Sequence, residues 1–316
     1  MKKVAFVFPG QGSQYTGMGK DFYEEYPRVR KIFEEAKKEL NLDLTRICFE
    51  ENKEILENTA NTQIGVFVVS FACFETLRSK GINPNIVGGH SLGEYTALVA
   101  CGSLNFLDGL RLVYKRGQFM QEAAQKKPGT MAAIIGLEKE KVIKILKEVK
   151  NFGIIVAANF NSPGQIVISG ETRMIDKVKE LADKAGARKV IPLKVAGAFH
   201  SSLMKEAQEK LRKEIEKTTF RIPRIPLVAN VSADFTEEPQ EIKESLIKQM
   251  VSPVLWGASI KRMAGWGVNT FVEVGPNRVL SGLIRRIINR ISAQGLILNV
   301  EDQKSLSKSL KMIRET

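Results

Sequence analysis

The order of apolar segments predicts an α/β protein: a mainly parallel sheet covered by helices on both faces, with a smaller α+β unit inserted into it. Three observations carry this expectation. Short apolar runs alternate with helical periodicity through residues 1–127 without tandem hairpins, as in a sheet built from crossover connections. Between residues 130 and 195 the order becomes β-α-β-β-α-β within 70 residues, the split pattern of a ferredoxin-like subdomain. Finally, Gly89-His90-Ser91-Leu92-Gly93 places a serine between two glycines, after an apolar stretch and before a helix-like run. That spacing is the G-x-S-x-G turn that lifts a serine out of the backbone at a strand-to-helix junction.

Each element follows from its residues. Val4 to Phe8 reads as a buried strand running into Pro9-Gly10-Gln11-Gly12. Helical spacing covers Asp21 to Leu40 and Gln63 to Arg78. Ile86-Val87 is a short strand, the helix after it carries Leu92, Tyr95, Leu98 and Val99, and a further helix opens at Asp108 and runs past Arg116 to Met120. Beyond Pro128-Gly129, strands are expected at Thr130–Leu137, Ile154–Phe160, Gln165–Ser169 and Lys189–Val195. Their helices are Glu138–Lys150 and Thr172–Ala185, the latter stopped by Gly186. The last third gives a helix at Ser202–Thr218, a strand at Leu227–Val231, a helix near Gln240–Met250, a strand at Thr270–Val274 and a helix at Val279–Ile288. Residues 1–127 and 196–316 are therefore assigned to one α/β-hydrolase-like domain and 128–195 to the ferredoxin-like subdomain within it.

Composition narrows the class. With 43% hydrophobic and 26% charged residues, the chain has the make-up of a soluble globular protein. Lys2-Lys3 and the apolar run after them resemble a signal peptide, but the run stops after five residues at Pro9-Gly10, short of the roughly seven an h-region needs. The apolar stretch Ile64–Phe74 is too short for the ~20 residues that span a bilayer. No membrane role is expected. Three widely spaced cysteines (Cys48, Cys73, Cys101) without C-x-x-C pairs read as reduced core thiols of a cytoplasmic protein. Net charge is +13, and from Lys261 onward 10 Lys/Arg face 4 Asp/Glu. That surface suits a polyanion, a nucleotide-bearing cofactor or an acidic protein, and equally a merely solvated face. No zinc-finger spacing or aromatic-rich basic motif supports nucleic acid.

A serine hydroxyl needs a base, and histidine is the usual one near neutral pH. The chain has two histidines. His90 adjoins Ser91 and should turn away from its hydroxyl, because successive side chains in extended backbone point oppositely. His200, in Gly197-Ala198-Phe199-His200-Ser201, is the expected base, and serine before histidine is the chain order of α/β hydrolases. Carboxylates between them that might complete a triad, Asp176 and Asp183, fall on a helix of the inserted subdomain. A Ser-His dyad oriented by a backbone carbonyl is expected instead.

The set Phe8-Pro9-Gly10-Gln11-Gly12-Ser13-Gln14, Gly89-His90-Ser91-Leu92-Gly93-Glu94-Tyr95, Gly197-Ala198-Phe199-His200-Ser201 and Glu273-Val274-Gly275-Pro276 closely resembles the malonyl-CoA:acyl carrier protein transacylase family, in order and spacing over nearly the whole chain. The resemblance implies that Ser91 is the nucleophile and His200 its base and later its acid. It further implies that the main-chain carbonyl of Gln249 orients the histidine, that the backbone N–H groups of Gln11 and Leu92 form the oxyanion hole, and that Arg116 binds the free carboxylate of the malonyl group. The implied partners are malonyl-CoA and an acyl carrier protein, with no cofactor, no metal and a monomeric enzyme. One departure is Asn277, where family members often carry the second glycine of Gly-Pro-Gly; asparagine tolerates left-handed backbone. An arginine suits a carboxylate withdrawn from water, since a guanidinium offers two parallel hydrogen bonds. A docking rim for the acidic carrier is expected among Arg278, Arg285, Arg286, Lys189 and Lys194.

Three other readings compete, one of them a pure binding module in which the serine is idle. A serine esterase or thioesterase would use the same elbow, but Phe8-Pro9-Gly10-Gln11 is not the HGGG-type oxyanion segment of esterases. A dinucleotide fingerprint would need Gly or Ala where Tyr15 stands, and a P-loop would need Lys where Met18 stands.

Overall fold

The computed structural model describes residues 3–50 and 53–315. Strands are β1 (Lys3–Phe8), β2 (Ile86–Gly89), β3 (Thr130–Ile135), β4 (Ile155–Ser162), β5 (Gln165–Gly170), β6 (Lys189–Pro192), β7 (Leu227–Val228), β8 (Phe235–Thr236), β9 (Val268–Val274) and β10 (Leu296–Val300). One sheet has the order β10-β9-β1-β2-β7-β8 and is parallel except where β8 turns back along β7. Alternate residues of β1 show why it sits at the centre. Phe6 and Phe8 enter one core while Ala5 and Val7 enter the other, on the opposite face, so the strand is apolar throughout rather than alternating.

The helix Thr59–Ser79 fills the larger core. It is long and apolar enough to cross a bilayer, yet most of it is buried within the protein. Tyr26 interrupts the helix expected over residues 21–40: Lys20–Glu25 ends there and Pro27 opens Pro27–Leu40 at a first-turn position, where its missing N–H costs nothing.

The second sheet has the order β4-β5-β3-β6, every neighbour antiparallel. Helices Lys139–Val149 and Thr172–Lys184 supply Val142, Ile145, Met174 and Val178 to a core shared with Ala132, Ile134 and Ile168. This is the expected β-α-β-β-α-β order. A hydrogen-bonded crossing fastens it to the main body: Phe160 N–H donates to the Val254 carbonyl and Val254 N–H to the Ala158 carbonyl, each at 2.9 Å.

Several elements differ from expectation. β7 ends at Val228 rather than Val231, because the chain turns at once so that Asn230 can face the elbow. The helix Trp256–Gly265, strand β10 and the helix Gln303–Arg314 were not foreseen. Asn277 has φ 68°, the left-handed conformation expected of an asparagine replacing glycine.

Candidate active site

Parallel register brings three loops together. Phe8 pairs with Gly89 and Gly88 with Val228, so β1, β2 and β7 end side by side and their carboxyl-end loops form one crevice, the place where open α/β sheets bind ligands. Gln11 leaves β1, Ser91 leaves β2 and Asn230 leaves β7. The first two loops are tied by the His90 N–H, which donates to the Phe8 carbonyl at 3.0 Å. Gly89 permits the turn, since a Cβ there would lie 1.9 Å from the Gly93 carbonyl carbon.

Ser91 sits at the apex with φ 53°, and His200 has φ 58°. Left-handed backbone at a non-glycine residue costs roughly 1–2 kcal/mol, and such strain persists where surroundings over-determine it. For Ser91 those surroundings are explicit. Its N–H donates to Asn230 Oδ1 at 2.7 Å, and Asn230 Nδ2 donates to the Gly89 carbonyl at 2.6 Å. One asparagine thus clamps both sides of the turn.

The Ser91 hydroxyl lies 2.8 Å from His200 Nε2. His200 Nδ1 is 2.9 Å from the Gln249 carbonyl and 3.1 Å from that of Ser252. Nδ1 therefore carries the proton and Nε2 faces the hydroxyl as an acceptor. Burial, and then the nearby Arg116 charge, push the imidazole down to about 3, so it is neutral throughout the physiological range. Two main-chain carbonyls orient it, and no carboxylate of the described residues bonds to it.

Arg116 comes from the middle of the helix Phe106–Lys126 and is wholly buried. Its Nη2 donates to Ser91 Oγ at 3.0 Å and to Gln249 Oε1 at 3.1 Å, Nη1 donates to Gln63 Oε1, and Nε has no partner among the described residues. The Tyr95 ring lies 5.6 Å from the guanidinium carbon. Its neighbour Arg111 is solvent-facing and paired with Glu39 and Asp108. A buried guanidinium with no direct ion pair among the described residues, aimed at a nucleophile, is costly to maintain. The geometry suits an anion delivered to the same hydroxyl.

No protein acceptor among the described residues takes the backbone N–H of Gln11 or of Leu92, the residue preceding the helix Gly93–Ala100. The Gln11 side chain is held by Gln63 Nε2 at 3.2 Å, and its loop by Ser13, whose hydroxyl donates to the Gly10 carbonyl at 2.7 Å. Free N–H groups beside a nucleophile are what an oxyanion site requires. Among the described residues, no cluster of three or more His, Cys, Asp or Glu is placed to hold a metal ion.

The model of the acyl transferase domain family matches residues 5–311. The chain belongs to the acyl transferase family. It is 42% identical over 316 residues to the malonyl CoA-acyl carrier protein transacylase of Bacillus subtilis (strain 168), covering 100% of this chain and 98% of that one. Among solved structures, it is similar to the malonyl CoA-acyl carrier protein transacylase of Clostridium perfringens (TM-score 0.94, 38% identity, 99% of this chain and 98% of that one). It is equally similar to a malonyl-transacylase solved in complex with a type II PKS acyl-carrier protein (TM-score 0.94, 38% identity, 98% of this chain and 100% of that one).

In this acyl transferase, Ser91, His200, Arg116, Gln249, Gln11 and Leu92 converge on one crevice. His90 turns away, as its chain position required, and meets Asn161 Oδ1 at 2.8 Å and the Trp256 ring edge-on. Sequence reasoning did not find Asn230, Gln63 or the second carbonyl from Ser252, and gave Glu94 no role. Their sole sequence signal was that buried polar residues interrupt apolar segments. The five basic residues expected at a docking rim are all exposed; of these, Arg278 is engaged with Glu301 at 3.2 Å and Arg286 reaches Gln165 at 3.3 Å.

Proposed function

We propose that this acyl transferase moves a malonyl group from malonyl-CoA to the phosphopantetheine thiol of an acyl carrier protein, by a ping-pong mechanism through a malonyl-Ser91 intermediate. The observation that carries the reading is that one hydroxyl is shared by a neutral imidazole and a buried guanidinium. The first suits proton transfer and the second an acyl group ending in a carboxylate. The names of the relatives favour transfer over hydrolysis by a serine esterase or thioesterase.

In this reading Ser91 Oγ attacks the thioester carbon and His200 Nε2 takes its proton. Negative charge on the carbonyl oxygen is met by the N–H groups of Gln11 and Leu92. The tetrahedral intermediate collapses, CoA leaves as its thiol with the proton from His200, and the malonyl ester remains on Ser91. The carrier thiol then gives its proton to His200, attacks the ester and leaves as malonyl thioester, and Ser91 recovers its proton. Throughout, Arg116 holds the distal carboxylate, exchanging its hydrogen bond to Ser91 Oγ for bidentate contact. Every catalytic group comes from the chain itself, so no cofactor enters the mechanism.

We assign residues 128–195 as the inserted subdomain and 1–127 with 196–316 as the catalytic domain. We place a monomeric enzyme in the cytoplasm, a setting supported by three buried free thiols. Incubation with malonyl-CoA followed by peptide mass spectrometry tests the mechanism. One malonyl adduct on Ser91, absent in Ser91→Ala and discharged by a pantetheine thiol faster than by water, is the expected result. A sequential mechanism without adduct refutes it.

A further inference from the structure

Glu94, one residue into the helix behind the elbow, is 2% exposed and plays no part in the mechanism above. Its Oε2 accepts from Gln249 Nε2 at 2.6 Å and from the Asn230 N–H at 3.3 Å. Those two residues hold the site together. Asn230 pins the Ser91 N–H, and Gln249 offers its main-chain carbonyl to His200 Nδ1 while its Nε2 also donates to the Ser91 carbonyl at 3.0 Å. The Gln249 amide connects charge as well. Its Oε1 accepts from Arg116 and its Nε2 donates to Glu94, so one amide separates the buried guanidinium from the buried carboxylate.

We propose that Glu94 is a positioning residue for Ser91 and His200, and the countercharge that Arg116 uses until the carboxylate of the acyl group replaces it. The proposal rests on the reading that Arg116 binds that carboxylate. Two carboxylates near one guanidinium cannot both stay ionised cheaply in a water-poor site. When the substrate carboxylate arrives, Glu94 takes a proton from solvent and remains as a neutral carboxylic acid. Charge is then conserved: one cation faces one anion before and after. Burial has already raised the Glu94 carboxyl to about 7 against the pull of its hydrogen bonds and of Arg116, so the exchange occurs at neutral pH. The other charged or titratable groups around it are Arg116 from its helix, Tyr95 alongside and His200 across the hydroxyl.

Two measurements test this. Calorimetry of wild-type acylation in buffers of different ionisation enthalpy counts protons. Malonyl-CoA and acetyl-CoA release the same CoA thiol, so any difference belongs to the acyl group. The expected result is net proton uptake with malonyl-CoA relative to acetyl-CoA, largest just above pH 7; equal counts overturn the proposal. In steady state, the KM for malonyl-CoA should rise above pH 7 in wild type and stay flat in Glu94→Gln. In the same variant kcat for acetyl transfer, during which Glu94 keeps its charge, should fall roughly tenfold, the order set by one charged hydrogen bond. A Glu94→Gln enzyme that keeps the wild-type pH dependence overturns it, and if that variant fails to fold, the calorimetry on wild type still decides. Arg116→Ala separates the two ideas. Equal losses for malonyl and acetyl transfer there break the underlying reading, whereas selective malonyl loss with no proton difference in wild type breaks only the role of Glu94.

Discussion

Arg116→Ala is the most discriminating single perturbation. In the empty enzyme the guanidinium is wholly buried, bonded to Gln63, Ser91 and Gln249, and has no direct ion pair among the described residues. Removing it frees two amide oxygens, each costing about 1–3 kcal/mol if left unpaired. It also relieves a buried charge whose Nε has no partner among the described residues, and Glu94, deprived of its countercharge, is held as a neutral acid, so the net effect on folding stability should be small. The complex with malonyl-CoA behaves differently. Its carboxylate enters the crevice with no cation, and breaking a buried pair costs about 3–5 kcal/mol. Acylation by malonyl-CoA should therefore slow by between roughly a hundredfold and a few thousandfold in kcat/KM. Acetyl-CoA carries no such charge. The Arg116 charge is the second-largest influence holding His200 down, so its loss makes the imidazole a stronger base, and acetyl transfer should fall little or rise. Rapid-quench acylation with both donors, on variants whose melting temperatures match wild type, gives the ratio directly. Parallel losses for the two donors would show that Arg116 merely supports the fold.

Three further outcomes follow from the same geometry. Asn230→Ala leaves the Ser91 N–H without its acceptor and the Gly89 carbonyl without its donor; acylation should slow at least tenfold with a lower melting temperature, and unchanged kinetics would mean that the elbow holds itself. Because the His200 pKa is lowered to about 3 from 6.5, stability from its neutral form is fully present above pH 6.5 and is lost as pH falls toward 3. His200→Gln should thus gain on wild type in melting temperature as the solution is acidified below pH 6.5, and a constant gap would contradict the burial argument. Reversing the exposed charges of Lys189, Lys194 and Arg285 should raise the KM for the carrier protein, chiefly at low salt where exposed charges act over longer distances. Transfer to free pantetheine should be unchanged, and equal effects on both acceptors would place these residues outside the carrier surface.

Legibility from sequence followed the range of the interactions involved. β1, the elbow and the β-α-β-β-α-β segment are set by neighbours in the chain: an unbroken apolar strand, glycines where no Cβ fits, helices closed by Gly186 or ended just before Pro128-Gly129. Those are visible in one dimension. Trp256–Gly265 was harder because glycines at positions 257 and 265 mask the apolar face formed by Trp256, Ile260 and Met263. Leu296–Val300 and Gln303–Arg314 carry local signals, an apolar run and the Asp302/Ser305 capping box, set within a strongly basic tail.

Ser91 and His200 were legible because a serine between two glycines after an apolar strand is a recognisable setting and the chain has only two histidines. What surrounds them was not, for a physical reason. Asn230, Gln63 and Glu94 act through contacts to residues 139, 53 and 155 positions away, and a neutral amide or a lone carboxylate has no sequence spacing of its own. Parallel register is what makes them neighbours: it sets Gly88 beside Val228, so the residue two places beyond β7 must face the turn beyond β2. A chain that kept every motif but lengthened β7 to Val231 would carry Asn230 into the ladder and away from Ser91. Inserting two residues after Val228 should then abolish acylation while leaving the serine, the histidine and the arginine intact. Measured labelling of Ser91 in such an insertion variant, at the wild-type rate, would show that the elbow needs no clamp from its neighbouring strand.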